Sequence, residues 1–153
     1  MRQETSSNSN NWSESMAVVP PLVSVRDETA NDSDKSWTVP DNEVWKITRM
    51  CSSFTSSATV GNRIITVREE NAAGDVLQRL VSGKVQAASS TVSYCFLQGI
   101  FRETTVVNGS LQVPIPIDFY IPGGNVLRVL DSAAVDAAAD DMVINFQYER
   151  LKV

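Results

Sequence analysis

Large apolar and polar residues alternate along several short stretches of this chain, and the longest of these lies near the C-terminus. From Leu111 to Ile121 every odd position is apolar: Leu111, Val113, Ile115, Ile117, Phe119 and Ile121. Between them stand Gln112, Pro114, Pro116, Asp118 and Tyr120. A period of two predicts an extended strand with one buried face. Pro114 and Pro116 have no amide proton to donate, so this strand cannot be paired on both sides along its whole length. It is expected at a sheet edge, beside a loop, or against another subunit. Pro114, Pro116 and Tyr120 would then face a neighbour or guard the edge.

The same alternation predicts the other strands. Ala17–Val25 reads as an extended lead-in and first strand, followed by an acidic loop over 26–36. Trp37–Met50 reads as a short strand, a turn at Pro40-Asp41-Asn42, and a long strand with Trp45 and Ile47 on the core face. Ile64–Glu69 and Val76–Val81, joined by Asn71-Ala-Ala-Gly-Asp75, read as a hairpin. Ser82-Gly83-Lys84 ends that pairing. Thr91–Phe101 alternates at Val92, Tyr94 and Phe96. Asn108-Gly109, between Thr104–Val107 and the Leu111 stretch, is the strongest short hairpin signal in the chain. Pro122-Gly-Gly-Asn125 is a second tight turn leading into Val126–Leu130. Met142–Tyr148 places Met142, Ile144, Phe146 and Tyr148 on one face.

About eight strands at short, regular spacing predict an all-β fold, a single jelly-roll-like β-sandwich over residues 17–153. The expected core is Trp45, Ile47, Ile65, Val67, Tyr94, Phe96, Leu127, Val129, Ile144 and Phe146. No helical period is evident, and the Ala-rich stretch 133–139 is too short to hold a helix alone. Residues 1–16 form an extended N-terminal arm, mostly Ser, Asn, Gln and Glu with a lone Trp12. Such an arm cannot bury enough apolar surface to order itself. It is expected to lie along its own domain or a neighbouring copy, with Trp12 in that contact.

Composition narrows the function classes. At 153 residues the chain reads as one domain that needs no disulfide or metal staple. A net charge of −5 argues against nucleic acid or an anionic membrane as partner, since both require clustered Lys and Arg. The chain contains no His, which removes the commonest general base and the commonest metal ligand. Met1-Arg-Gln-Glu-Thr leads into Ser and Asn, which is no signal peptide, and no run approaches the ~18 apolar residues of a membrane span. Without a secretory signal, the Asn-x-Ser triplets at Asn11, Asn31 and Asn108 read as turns and polar tail. Cys51 and Cys95 read as two buried free thiols in strands, with a single bridge between them left open.

Candidate chemistry is sparse. Asp131, Asp136, Asp140 and Asp141 lie close together in a stretch without a basic side chain, so they are weak calcium candidates. Their spacing does not match an EF-hand, and the simpler reading is that they cap turns and keep a loop solvated. Ser82-Gly83-Lys84 resembles the end of a phosphate-binding loop but lacks the first Gly and the following helix. Glu69 and Glu70 are adjacent on a strand and should point to opposite faces. Trp12, Trp37 and Trp45 would suit a sugar-stacking platform, but a Trp in an alternating strand more often belongs to a core or an interface. A Ser nucleophile would need Lys or a carboxylate as its base, and nothing places one there.

Five segments occur in an order that resembles a known group. They are Val39-Pro-Asp-Asn-Glu-Val-Trp-Lys-Ile47, Ser57-Ala-Thr-Val-Gly-Asn-Arg-Ile-Ile65, Val85-Gln-Ala-Ala-Ser-Ser-Thr91, Ile121-Pro-Gly-Gly-Asn-Val-Leu-Arg-Val129 and Val135-Asp-Ala-Ala-Ala-Asp-Asp-Met142. Together they resemble small β-rich structural proteins of tailed bacteriophages over roughly residues 37–148. Residues 1–36 lie outside the likeness, and residues 101–113 are longer than the usual pattern. The resemblance implies a jelly-roll-like module on the virion with no catalytic residues and no cofactor. The expectation that follows is a capsid decoration or cement protein, made in the bacterial host cytoplasm and carried on the capsid surface. It would act as a homo-oligomer, a trimer where a capsid offers threefold positions, with the major capsid protein as partner. The alternatives are a receptor- or carbohydrate-binding jelly roll of a tail or fibre, and a neck or tail adaptor.

Overall fold

The computed structural model describes residues 19–153. The N-terminal arm, with Trp12, lies outside the described residues. Ten strands follow one another with no helix among the described residues. They are β1 (Leu22–Asp27), β2 (Asp34–Thr38), β3 (Glu43–Thr55), β4 (Ile65–Glu70), β5 (Val76–Val81), β6 (Thr91–Leu97), β7 (Ser110–Pro114), β8 (Tyr120–Pro122), β9 (Val126–Asp131) and β10 (Asp141–Lys152).

The strands form two sheets. The larger has the order β1-β10-β3-β6-β7, with β8 also paired to β3, and the smaller has the order β2-β9-β4-β5. With β7 and β8 set aside, the eight remaining strands alternate between sheets as β1-β10-β3-β6 and β2-β9-β4-β5. This is the strand order of a jelly roll, two nested Greek keys facing across one core. The expected β-sandwich is therefore the observed one, and β7 and β8 are an insertion between its sixth and seventh strands.

All ten expected core residues are buried, joined by Val39, Met50, Phe54, Leu111, Val113, Ile115, Phe119, Ile121, Met142 and Tyr148. Trp37, Trp45, Phe146 and Tyr148 cluster at the centre. Trp45 stacks on Tyr148 at 4.1 Å, and Trp37 meets Phe146 edge-on at 4.8 Å. Such contacts add about 0.5–1.5 kcal/mol each beyond the area they bury.

Strand β3 keeps both of its halves in the core by a slip of phase. Its register with β10 shifts between Gln147 and Tyr148, so that Gln147 pairs with Arg49 and Tyr148 with Ile47, leaving Thr48 as the extra residue of a β-bulge. Trp45 and Ile47 face inward before the bulge, and Met50, Ser52 and Phe54 face inward after it. Arg49 and Cys51 are thereby turned to the outer face.

The Leu111–Ile121 stretch departs from expectation. It is two strands, not one: β7 at the edge of the larger sheet, and β8 against the first half of β3. Residues 115–119 cross the end of β6, where the Ile115 amide donates to the Leu97 carbonyl at 2.9 Å and the Ile47 amide to the Phe119 carbonyl at 3.0 Å. Because the crossing is not a strand, alternation fails there, and Ile117 is 69% exposed. Asn108 and Gly109 do form the expected two-residue turn, with φ of 50° and 76°. Val107 and Ser110 exchange both backbone hydrogen bonds across it. The arm before the turn stops at that bridge, and β7 pairs instead with β6, in parallel.

The turn at Pro122–Asn125 joins the two sheets and is not a hairpin. Gly123 is required there: a β-carbon would come within 2.5 Å of the Asp41 carbonyl oxygen. The predicted hairpin β4–β5 is present, with a bulge at Glu69/Glu70. The expected short strand at Trp37 starts earlier, inside the acidic loop, at Asp34.

Candidate functional site

The outer face of the larger sheet carries an open groove of about 440 Å³. Ser24 and Arg26 of β1, Asn145 and Gln147 of β10, Arg49 and Cys51 of β3, and Leu97 of β6 line it. The groove lies beside the bulge at Thr48, whose hydroxyl donates to the Gln147 carbonyl at 3.0 Å. Its lining mixes the guanidinium, amide and hydroxyl groups of Arg26, Arg49, Asn145, Gln147 and Ser24 with the apolar surface of Val25, Leu97 and Phe146. No Trp contributes. Trp45 is buried, and the half-buried Trp37 packs on Phe146. These two cannot form the stacking platform considered from sequence, and Trp12 lies outside the described residues.

The second candidate surface is the β6–β9 insertion. β7 is an edge strand, and its outer side is closed by the chain itself. Gln112 donates its amide to the Glu103 carboxylate at 2.6 Å and accepts from the Glu103 amide at 3.1 Å. Ser110 is bridged to Val107. Since the Ile115 amide points to β6, alternation turns the nitrogen of Pro114 outward, where it has no proton to offer. Pro114 thus ends an edge strand with its nitrogen on the outer side, a position where a proline would hinder strand addition. Pro116 lies in the crossing segment, exposed, and Tyr120 is partly exposed in β8 opposite Lys46. Around this closed edge the insertion presents Phe101, Val107, Ile117 and Tyr120 to solvent, with Phe101 94% exposed.

Replacing Pro114 and Pro116 by Thr is expected to preserve the fold, because Thr suits strands. It restores an outward donor at position 114, just past the Glu103 contact that closes the edge at Gln112, so the free protein should self-associate more. Light scattering that shows the double variant as monodisperse as the parent would rule out the guarding role.

Three of the four aspartates suspected of binding calcium are committed to hydrogen bonds within the protein. Asp140 is fully buried and holds Arg63, also fully buried, in a two-pronged ion pair: Nε to Oδ2 at 3.0 Å and Nη2 to Oδ1 at 3.1 Å. Arg63 also donates to the carbonyls of Thr59 and Gly61 and to the Ser57 hydroxyl. Asp136 accepts from the hydroxyls of Ser57 and Thr59 at 2.9 and 2.6 Å. Asp131 accepts from the amides of Ile64 and Ala133 at 2.8 and 3.0 Å. Asp141, the first residue of β10, leaves Oδ1 without a protein partner. Among the described residues, no group of three or more His, Cys, Asp or Glu is placed to hold a metal ion. Asp131 at the end of β9, with Asp136 and Asp140 in the β9–β10 loop, ties this region to the β3–β4 loop that carries Arg63.

Burial by itself would raise the Asp140 carboxyl, but the hydrogen bonds from Arg63 and from Ser57 outweigh it and hold Asp140 below the usual carboxylate range. A depressed folded-state value stabilises the protein fully above the unfolded value of ~4 and ceases to do so as pH falls through the folded one. Acid unfolding is therefore expected below about pH 4. Asp140→Asn should be less stable at neutral pH and should show a shallower pH dependence in acid. Parallel acid titrations by circular dichroism check this, and identical slopes would contradict it.

Other sequence candidates are structural. Ser82 is buried at the end of β5, and its hydroxyl donates to the Lys84 carbonyl at 3.3 Å. Glu69 and Glu70 do not split into an inner and an exposed residue, because both are buried. Glu69 accepts from Asn125 at 2.7 Å, and Glu70 pairs with Arg128 at 3.3 Å. Cys51 and Cys95 are free thiols as expected, but they are half-buried and adjacent. Lys35 was not foreseen: it is buried near the start of β2, with its ammonium on Asp27, Asp32 and the Thr29 carbonyl.

No family model and no curated protein matches the chain. Among solved structures it is similar to the family 11 carbohydrate-binding module of the cellulosomal cellulase Lic26A-Cel5E of Clostridium thermocellum. That similarity is 13% identity over 88% of this chain and 90% of that one, with a TM-score of 0.30. A likeness at this level carries no argument about ligand or function.

Proposed function

We propose that this chain is a non-enzymatic structural protein of a tailed-phage virion, a capsid decoration or cement protein that bridges major-capsid subunits as a homotrimer. The observation that carries the reading is the insertion, which closes its own strand edge and yet leaves Phe101, Val107, Ile117 and Tyr120 exposed. A closed edge prevents open-ended strand addition, and exposed aromatic and aliphatic side chains favour docking to a defined partner. The acidic balance keeps such a protein off the packaged genome, and many modest contacts sum over many copies. Sequence resemblance to phage structural proteins over residues 37–148 supports the same assignment.

Phe101→Asp with Ile117→Asp tests it. Both side chains are exposed, so the melting temperature should stay within a few degrees of the parent, while trimerisation and uptake into virions should be lost. Sedimentation of a trimeric, virion-competent double variant would overturn the reading. The groove, with Arg49, Asn145 and Gln147 in its wall, favours a second reading, a receptor- or carbohydrate-binding module of a tail or fibre. Burial of Trp45 and the packing of Trp37 on Phe146 weigh against stacked sugar sites. Micromolar calorimetric binding of an oligosaccharide, abolished by Asn145→Ala, would favour it instead.

A further inference from the structure

Cys51 and Cys95 stand directly opposite each other on the antiparallel neighbours β3 and β6. Opposed residues of antiparallel strands have α-carbons about 4.5–5.5 Å apart, inside the 4.4–6.8 Å range of disulfides. Their sulfur atoms are 2.7 Å apart, only ~0.7 Å beyond a covalent S–S bond. Both thiols are free and neither is fully buried. The bulge at Thr48 puts this pair outside the core, and Cys51 forms part of the groove wall. A small reagent therefore has a way in, and the bridge can form without moving a strand.

We infer that Cys51 and Cys95 are a dithiol modification site that closes to a cross-strand disulfide by exchange with a small-molecule disulfide of the glutathione type. One protein thiolate attacks a sulfur of the small disulfide, forming a mixed disulfide and releasing one small thiolate. The second cysteine, as its thiolate, then attacks the protein sulfur of that mixed disulfide and expels the other. Two protons leave the protein thiols and two electrons pass to the small disulfide, which ends as two thiols. The second step is favoured by proximity, since the attacking sulfur is already in contact with its target. Burial first, and then the neighbouring Cys95, push the Cys51 thiol up to about 12. Exchange should accordingly be slow at neutral pH and quicken as pH rises. Closure would staple two central strands across a 44-residue separation, which restricts the unfolded chain. The site stands whether or not the chain is a virion component.

The test uses the full chain in glutathione buffers at about pH 8.5, held until the number of alkylatable thiols is constant. Mass spectrometry is expected to show both thiols lost together, with a fall of about two mass units, no retained glutathione and a monomeric band on a non-reducing gel. The oxidised protein should melt several degrees higher than the reduced one. Cys51→Ser and Cys95→Ser should each stop at a stable glutathione adduct, and their circular dichroism should match the parent. Two alkylatable thiols persisting in excess oxidised glutathione would overturn the proposal. So would a stable adduct or an interchain bridge in the wild-type protein.

Discussion

Arg63→Ala is expected to lower the free energy of unfolding by about 3–5 kcal/mol, the range for removing one partner of a buried ion pair. Arg63 is fully buried, and its five N–H donors are met by Asp140, Ser57 and the carbonyls of Thr59 and Gly61. Its loss leaves the Asp140 carboxylate buried with only the Ser57 amide as donor, at 2.7 Å. It also releases two loops that Arg63 holds together. The unfolding midpoint in urea should fall with little change in slope. Arg63→Met combined with Asp140→Leu should cost less than Arg63→Ala, because no unpaired charge remains. A loss under ~1 kcal/mol for the single variant would mean that water replaces the guanidinium readily.

Phe146→Ala should cost about 3–5 kcal/mol, the range for removing a fully buried aromatic ring. Phe146 is 1% exposed at the centre of β10, the strand that joins β1 to β3. Trp37, Trp45 and Tyr148 all lie within 6.2 Å of its ring, centroid to centroid. None of these can fill the space without leaving its own packing. The variant should therefore lose stability and also shift its tryptophan emission. An unchanged denaturation midpoint would mean that the inner and outer faces of β10 are assigned the wrong way round.

The sandwich was largely legible in the sequence because alternation reports burial directly. Tyr94, Leu127 and Ile144 sit among neighbours that alternate, and all are buried, while Ile65 is buried in a strand covered along almost its whole length. The bulge at Thr48 was visible only as a slip, since inward residues run Trp45, Ile47 and then Met50, Phe54. The β7–β8 division was not legible. Leu111, Val113, Ile115, Phe119 and Ile121 are buried as alternation predicts, but a strand and a crossing segment both satisfy that pattern. Pro116 falls in the crossing segment beyond β7, whereas Pro114 does end an edge strand, because a missing donor is a local property. Which strand β7 joins is not, and its parallel partner β6 could not be inferred from a turn that promised a hairpin.

The polar interior was hidden for the same reason. Arg63 and Asp140 are 77 residues apart, and Lys35 sits in an acidic loop where a solvated charge is the ordinary expectation. Four aspartates without a nearby cation were weak metal candidates, while the cation that pairs with Asp140 came from another loop. The groove was equally invisible, since Ser24, Arg49 and Gln147 come from three strands that only the sheet order makes neighbours.

Cryo-electron microscopy of purified virions carrying this protein tests the assignment to a capsid-bridging role most directly. The account predicts regularly spaced trimers over the capsid surface, each β-sandwich touching more than one major-capsid subunit through the insertion that bears Phe101 and Ile117. A few copies confined to the tail or neck, or particles that contain none, would contradict it.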